Sequence, residues 1–208
     1  YIVAVFKPSF LVNEEKYDAE KVLDTRLSGG SLLQRLTAPL RIKPDIFLLG
    51  VQKGGTSSLY KALVQHQAIL TAKRKEIFYF GNDVYYNRGL NWYRQFFALR
   101  VYQQWYDRKK GVHSVSIDAS TNTFDHPLAP ERVHALAPRA KLIVLLRDPV
   151  KRAYSHYLMS KKNGYEFATF AEALRLENAR LNNIVNQPLY TKGNNNAFQR
   201  LGYRPRGL

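Results

Sequence analysis

Residues 48–60 read Leu-Leu-Gly-Val-Gln-Lys-Gly-Gly-Thr-Ser-Ser-Leu-Tyr, an apolar run that opens into a glycine-bearing turn and then a helix-compatible stretch. A nucleotide-binding P-loop reads G-x-x-x-x-G-K-[ST], with its lysine directly after the second glycine. Gly50 and Gly55 have that spacing, but Thr56 follows Gly55 and the lysine, Lys53, lies inside the loop. The run from Ile46 to Val51 is apolar on both faces, as expected of a strand buried within a parallel sheet. In residues 56–67, Leu59, Ala62 and Leu63 fall on one helical face, and hydroxyls at the start can cap the helix. Strand, glycine loop and helix together surround an anion with backbone N–H groups. Gly54 and Gly55 permit close backbone approach, Thr56 and Ser57 add hydroxyl donors, and Lys53 adds a mobile positive charge. The plainer alternative is a tight strand-to-helix turn that merely needs its glycines.

A second element of the same kind lies at residues 145–157, LLRDPVKRAYSHY. Here the apolar run KLIVLLRD (141–148) passes through a charged turn into a helix whose first turn holds Pro149, a favoured place for proline. Arg147 stands at the strand's carboxyl end, where ligands of open α/β sheets bind. Arg147 and Ser155, with Lys151 and Arg152 nearby, could grip a second phosphate, the guanidinium matching its oxygens. The alternative is a solvated Arg147–Asp148 turn.

Between and around these two elements the chain alternates. YIVAVF (1–6) precedes a polar, helix-compatible stretch at 13–27, and SGGS (28–31) is a flexible break. EIFYF (76–80) reads as a short strand, 90–106 as one aromatic helix, HSVSID (113–118) as a strand and 130–138 as a short helix. A helix at 149–162 and an amphipathic one at 167–183 follow, and then a polar, loop-like tail at 191–208. Strands alternating with helices predict an α/β, P-loop-like three-layer domain with a central, mainly parallel sheet flanked by helices. Trp92, Tyr93, Phe96, Phe97, Trp105 and Tyr106 read as core rather than as a carbohydrate-stacking wall.

Of the 208 residues, 45% are hydrophobic and 13% aromatic, a folded composition with room for a real core. The net charge of +16 favours an anionic partner. No cysteine is present, which removes disulfides and thiolate metal sites and leans toward an intracellular setting. No run approaches the ~18 apolar residues of a membrane span. Nor does any helix-turn-helix, zinc-finger or RNA-recognition signature accompany the basic charge, so no nucleic-acid partner is expected.

The two loops in this order resemble the sulfotransferases that use 3′-phosphoadenosine 5′-phosphosulfate (PAPS). Their K-x-G-T-x-x-L element, which holds the 5′-phosphosulfate, is matched by Lys53, Gly54, Gly55, Thr56, Ser57, Ser58 and Leu59. Their R-D-P-x-x-R-x-x-S element, which holds the 3′-phosphate, is matched from Arg147 through Arg152 to Ser155. KEIFYF (75–80) is similar to the K/N-E-x-x-F-F segment of the heparan sulfate and other glycan enzymes, which implies that Glu76 is the catalytic base. Residues 89–97 and 130–149 follow that branch too, and bacterial sulfotransferases share the same segments. One departure stands out: the glycan enzymes have E-K-T-P where this chain has Asp118, Ala119, Ser120 and Thr121, so no lysine is available there.

The resemblance covers residues 43–208 and implies an N-terminal extension at 1–38 and a sulfotransferase domain at 39–208 that is C-terminally incomplete. It implies transfer of a sulfuryl group to an acceptor with a free hydroxyl, on a carbohydrate and in particular an anionic glycan. The setting would be cytoplasmic for a bacterial chain, or the Golgi lumen for a eukaryotic one with an anchor elsewhere. Lys53 would stabilise the departing phosphate, so that no metal is required, and Glu76 would take the acceptor's proton. If Glu76 fails, His113 and Asp118 are the next candidates. A P-loop kinase or NTPase, with Asp118 holding Mg²⁺, and a non-catalytic polyanion binder are the alternatives.

Overall fold

The computed structural model describes residues 2–4 and 32–185. Five strands form one parallel sheet: β1 (Ile2–Ala4), β2 (Ile46–Gly50), β3 (Ile69–Thr71), β4 (Val115–Asp118) and β5 (Lys141–Leu145). Their spatial order is β1-β5-β2-β4-β3. Parallel neighbours need crossover connections, and helices supply them. α1 (Leu32–Leu36) precedes β2, and α2 (Thr56–Leu63) carries the chain from β2 to β3. α3 (Asp83–Tyr86), α4 (Leu90–Arg94) and α5 (Arg100–Lys110) lead to β4. α6 (Ala129–Leu136) leads to β5, after which come α7 (Pro149–Lys162) and α8 (Phe170–Val185). The α/β architecture with a parallel sheet is the expected one.

β2 sits at the centre of the sheet because its sequence has no polar face. It pairs with β5 along its whole length, from Ile46↔Lys141 to Gly50↔Leu145, and with β4 at Ile46 and Phe47. Phe47 and Leu49 enter a large cluster with Ile77, Tyr79, Phe80, Trp92, Tyr93, Phe96, Phe97 and Val133. On the other face Leu48 packs with Ile117, Ala119 and Leu145, against Leu59 and Leu63 of α2. The chain continues to one side of β2 at β4 and to the other at β5. Loops therefore diverge at the carboxyl end of β2, the switch point at which open α/β sheets bind ligands.

Three expectations change, for one strand, one helix and one aromatic ring read as core. EIFYF is not a strand: Glu76 and Phe78 take left-handed φ values of 61° and 60°, which break the pleat. Its apolar alternation is real, since Ile77 and Tyr79 are buried, but an irregular segment held against the residues after β4 produces it. The strand on this side is instead Ile69–Thr71, too short a run to read in the sequence. The aromatic helix is two helices, because Ala98 and Leu99 are drawn out to meet Arg41 and Ile42: Ile42 N donates to Ala98 O, and Arg41 bridges Leu99. Trp92, Tyr93, Phe96 and Phe97 are core, whereas Trp105 on α5 is 52% exposed. Ile2–Ala4, within the stretch read as an extension, lies at the sheet edge beside β5. The polar stretch at 13–27, SGGS and the tail at 191–208 fall outside the described residues.

Candidate active site

The loop after β2 is shaped by three glycines, each for its own reason. Gly50 has φ 146°, and a Cβ there would stand 2.3 Å from Leu145 O. A Cβ on Gly54 would meet Val51 O at 2.8 Å and Leu145 O at 3.1 Å. A Cβ on Gly55 would make only an ordinary contact with Leu145 Cδ2 at 3.8 Å, but its φ is 103°, and it caps α2 with no side-chain hydrogen bond. The turn closes through Gly54 N donating to Val51 O at 2.8 Å, and Lys53 takes a left-handed φ of 66°. The N–H groups of a helix's first turn have no carbonyl of their own helix to bond. Here they follow a cap that brings no carboxylate or hydroxyl, with Thr56 buried and Ser57 and Ser58 exposed. These features fit a bound phosphate or sulfate group.

Arg147, two residues beyond β5, donates from Nη1 to Lys53 O at 3.1 Å, so the two predicted anion loops are in contact. Asp148 caps α7, its Oδ1 accepting from Lys151 N at 2.8 Å, and Pro149 opens the helix. Ser155 lies part-exposed on α7. Arg152, by contrast, is buried; burial lowers its pKa, opposed by the charges of Asp125 and Glu177.

Glu76 closes the third side. Its Oε1 accepts from Lys75 Nζ at 3.1 Å, and the same ammonium donates to Ser57 Oγ at 2.8 Å. Its Oε2 accepts from Thr121 N at 3.1 Å and Thr121 Oγ1 at 3.2 Å. The backbone beneath it is clamped as well: Glu76 N donates to Ala119 O at 3.1 Å, and Phe78 N to Ser120 Oγ at 3.2 Å. Asp118 lies under this clamp, 2% exposed, accepting from Tyr93 Oη at 2.6 Å and Ser120 Oγ at 2.7 Å. Burial pushes its carboxyl up to about 6; the hydrogen bonds from Tyr93 and Ser120 pull it down, and the charge of Glu76 adds to the rise.

The structure thus brings Lys53 and Arg147 together at one contact, and Ser57 and Glu76 together through Lys75. It sets two other candidates apart. His113 lies just before β4, at the opposite edge of the sheet, lining a groove with Lys43, Asp45, Arg100 and Asp107. Asp118 sits inside the fold. Lys75 and Thr121 are the residues that sequence reading passed over. Lys75 was visible as one of several cations in AKRKE (72–76) and as the first residue of the KEIFYF segment, without a role, and Thr121 only as part of a departure from a pattern.

Comparison with known proteins identifies a family over most of the chain. The sulfotransferase domain family matches residues 43–195, a span that holds both loops and Glu76. A bifunctional heparan sulfate N-deacetylase/N-sulfotransferase 1 of Xenopus laevis is 33% identical over 139 residues, 64% of this chain and 15% of that protein. Heparan sulfate glucosamine 3-O-sulfotransferase 5 of Homo sapiens is 33% identical over 114 residues, 55% of this chain and 30% of that protein. Each match therefore spans well under half of the curated relative's length. A crystal structure of a sulfotransferase from Alicyclobacillus acidocaldarius superposes with a TM-score of 0.52 at 29% identity, covering 68% of this chain and 60% of that one. The chain belongs to the sulfotransferase domain family and is similar to heparan sulfate and bacterial sulfotransferases.

Proposed function

We propose that this chain transfers a sulfuryl group from PAPS to a hydroxyl of a glycan, an anionic one of the heparan type being the first to test. The observation that carries the reading is the bonded series Ser57–Lys75–Glu76, which links the helix start at the donor loop to a carboxylate. When bound, PAPS supplies an activated sulfuryl group on a phosphate that can leave. Lys53, Gly54, Gly55, Thr56, Ser57 and Ser58 hold the 5′ side, the backbone N–H groups giving fixed donors and Lys53 countering charge on the leaving phosphate. Arg147 and Ser155 hold the 3′-phosphate. Glu76 accepts the acceptor's hydroxyl proton, and Thr121 and Lys75 keep its carboxylate turned to the donor loop. Positioned donors and charges supply most of the rate in such transfers.

A ligand that binds only the folded chain raises its melting temperature. Stabilisation by 3′-phosphoadenosine 5′-phosphate without added metal is the expected result, followed by incorporation of label from PAPS into heparan-type acceptors. Stabilisation by ATP with Mg²⁺ alone would replace this reading with a kinase or NTPase.

A further inference from the structure

We infer that Lys75 is a positioning residue that couples the donor loop to the base, an inference that rests on the reading just given. An ammonium has three donors and no acceptor. Lys75 spends two of them across the site: one on Ser57 Oγ in the first turn of α2, the other on Glu76 Oε1. These partners belong to different elements, 18 residues apart in the case of Ser57. The contact is semi-enclosed, with the Lys75 and Glu76 side chains each 20% exposed. The two oxygens of Glu76 are therefore fixed by different parts of the fold, Oε2 by Thr121 after β4 and Oε1 by Lys75.

The described residues after β4 bring Glu76 no second ammonium. Ala119 turns its methyl into the apolar cluster of Leu48, Ile117 and Leu145 and is 3% exposed. Thr121 brings a hydroxyl and an N–H but no charge. Lys75 is also locked in its direction by the backbone: Glu76, next to it, is left-handed, and Glu76 N is bonded to Ala119 O. A shift of α2, such as an anion at its first turn would cause, moves Ser57 and is passed by the ammonium to the carboxylate. Closing the donor loop and aiming the base become one event.

An ordinary surface ion pair contributes little beyond stability. The two roles are told apart in the full chain with Lys75→Met, Lys75→Arg, Ser57→Ala and the Lys75→Met/Ser57→Ala double variant. Affinity for 3′-phosphoadenosine 5′-phosphate is read by calorimetry, turnover with labelled PAPS and a heparan-type acceptor, and folding by thermal melting. Lys75→Met is expected to melt as the parent does, to weaken nucleotide binding about threefold to tenfold, and to lower kcat about tenfold to a hundredfold with little change in acceptor KM. Lys75→Arg is expected to restore most of both. Groups in one network act non-additively, so the double variant should bind nucleotide no worse than the weaker single one. Parent-like binding and kcat in Lys75→Met, or additive losses in the double variant, would overturn the coupling and leave the sulfotransferase reading standing. A parent chain that does not bind the nucleotide sinks that reading, and this inference with it.

Discussion

The chain leaves β2 through residues 51–55 and leaves β3 through residues 72–78, and both routes use non-glycine residues in a left-handed conformation. Each such residue costs about 1–2 kcal/mol. In the first route Lys53 is surrounded by Gly50, Gly54 and Gly55, which take up the close approaches to Leu145 and the turn into α2. The shape there is written into the segment itself. In the second route Glu76 and Phe78 have no glycine before Gly81, and their conformation is held from outside by Ala119, Ser120 and Thr121. One loop is built locally and the other is moulded on its neighbour. Substitutions at 119–121 should therefore be felt at Glu76, whereas the donor loop answers mainly to its own residues and to Arg147.

The largest expected effect falls on the moulded side. Glu76→Gln, nearly isosteric, should lower turnover by about 10²–10⁴, the range for removing a general base, with nucleotide affinity unchanged. Full activity of this variant with a true acceptor would place the base elsewhere. Beneath it, Asp118 ties stability to pH. Its carboxyl is raised from 3.8 to about 6, so between those values the folded chain holds a proton that the unfolded chain has lost. Stability from this group is present below pH ~4 and is lost as pH rises through ~6, by about 3 kcal/mol at one unit per 1.36 kcal/mol. Urea titrations across that window should show the slope in the parent chain and not in Asp118→Asn; an equal slope in both would refute the assignment.

On the locally built side, Arg147→Ala should cost about 1–3 kcal/mol of nucleotide binding, the worth of a charged hydrogen bond. Because Arg147 also holds Lys53 O, Ser155→Ala gives the same test free of that contact. Both should weaken 3′-phosphoadenosine 5′-phosphate far more than adenosine 5′-phosphate, and equal losses would remove the 3′-phosphate assignment. The smallest effect on stability is expected at Lys53→Gly. Relief of its left-handed strain should raise unfolding free energy by about 0.5–1 kcal/mol while nucleotide binding falls. A loss of stability would show that the Lys53 side chain, not the ligand, holds the loop together.

The same contrast sets what the sequence makes legible. β2, its glycine loop and α2 are visible because their signals are contiguous: an apolar run, glycines where no Cβ fits, a helical face. β5 and α7 are visible for the same reason, down to Pro149 and the Asp148 cap. The 76–80 segment is misread because Ile77 and Tyr79 are buried with the alternation of a strand, while the bonds that bend the backbone come from residues about 40 positions away, as with the 42-residue separation of Phe78 and Ser120. Lys75 and Thr121 are hidden by contacts across the fold as well. Their significance lies in what they touch: Thr121 meets a carboxylate 45 positions away, and Lys75 ties its neighbour Glu76 to Ser57, 18 positions back.

The two helix starts at the carboxyl edge also differ in a way that bears on ligand polarity. A helix carries roughly half an elementary positive charge at its N-terminus. At α7 the Asp148 carboxylate already answers that charge, so attraction for an anion there depends on Arg147. At α2 the cap is Gly55, which brings no carboxylate, so the helix macrodipole meets whatever approaches. This pull comes from the backbone, so it does not titrate and does not depend on the Lys53 side chain. The field is lopsided across a few ångströms, and a ligand with two unequal anionic ends can lower its energy in only one of the two orientations.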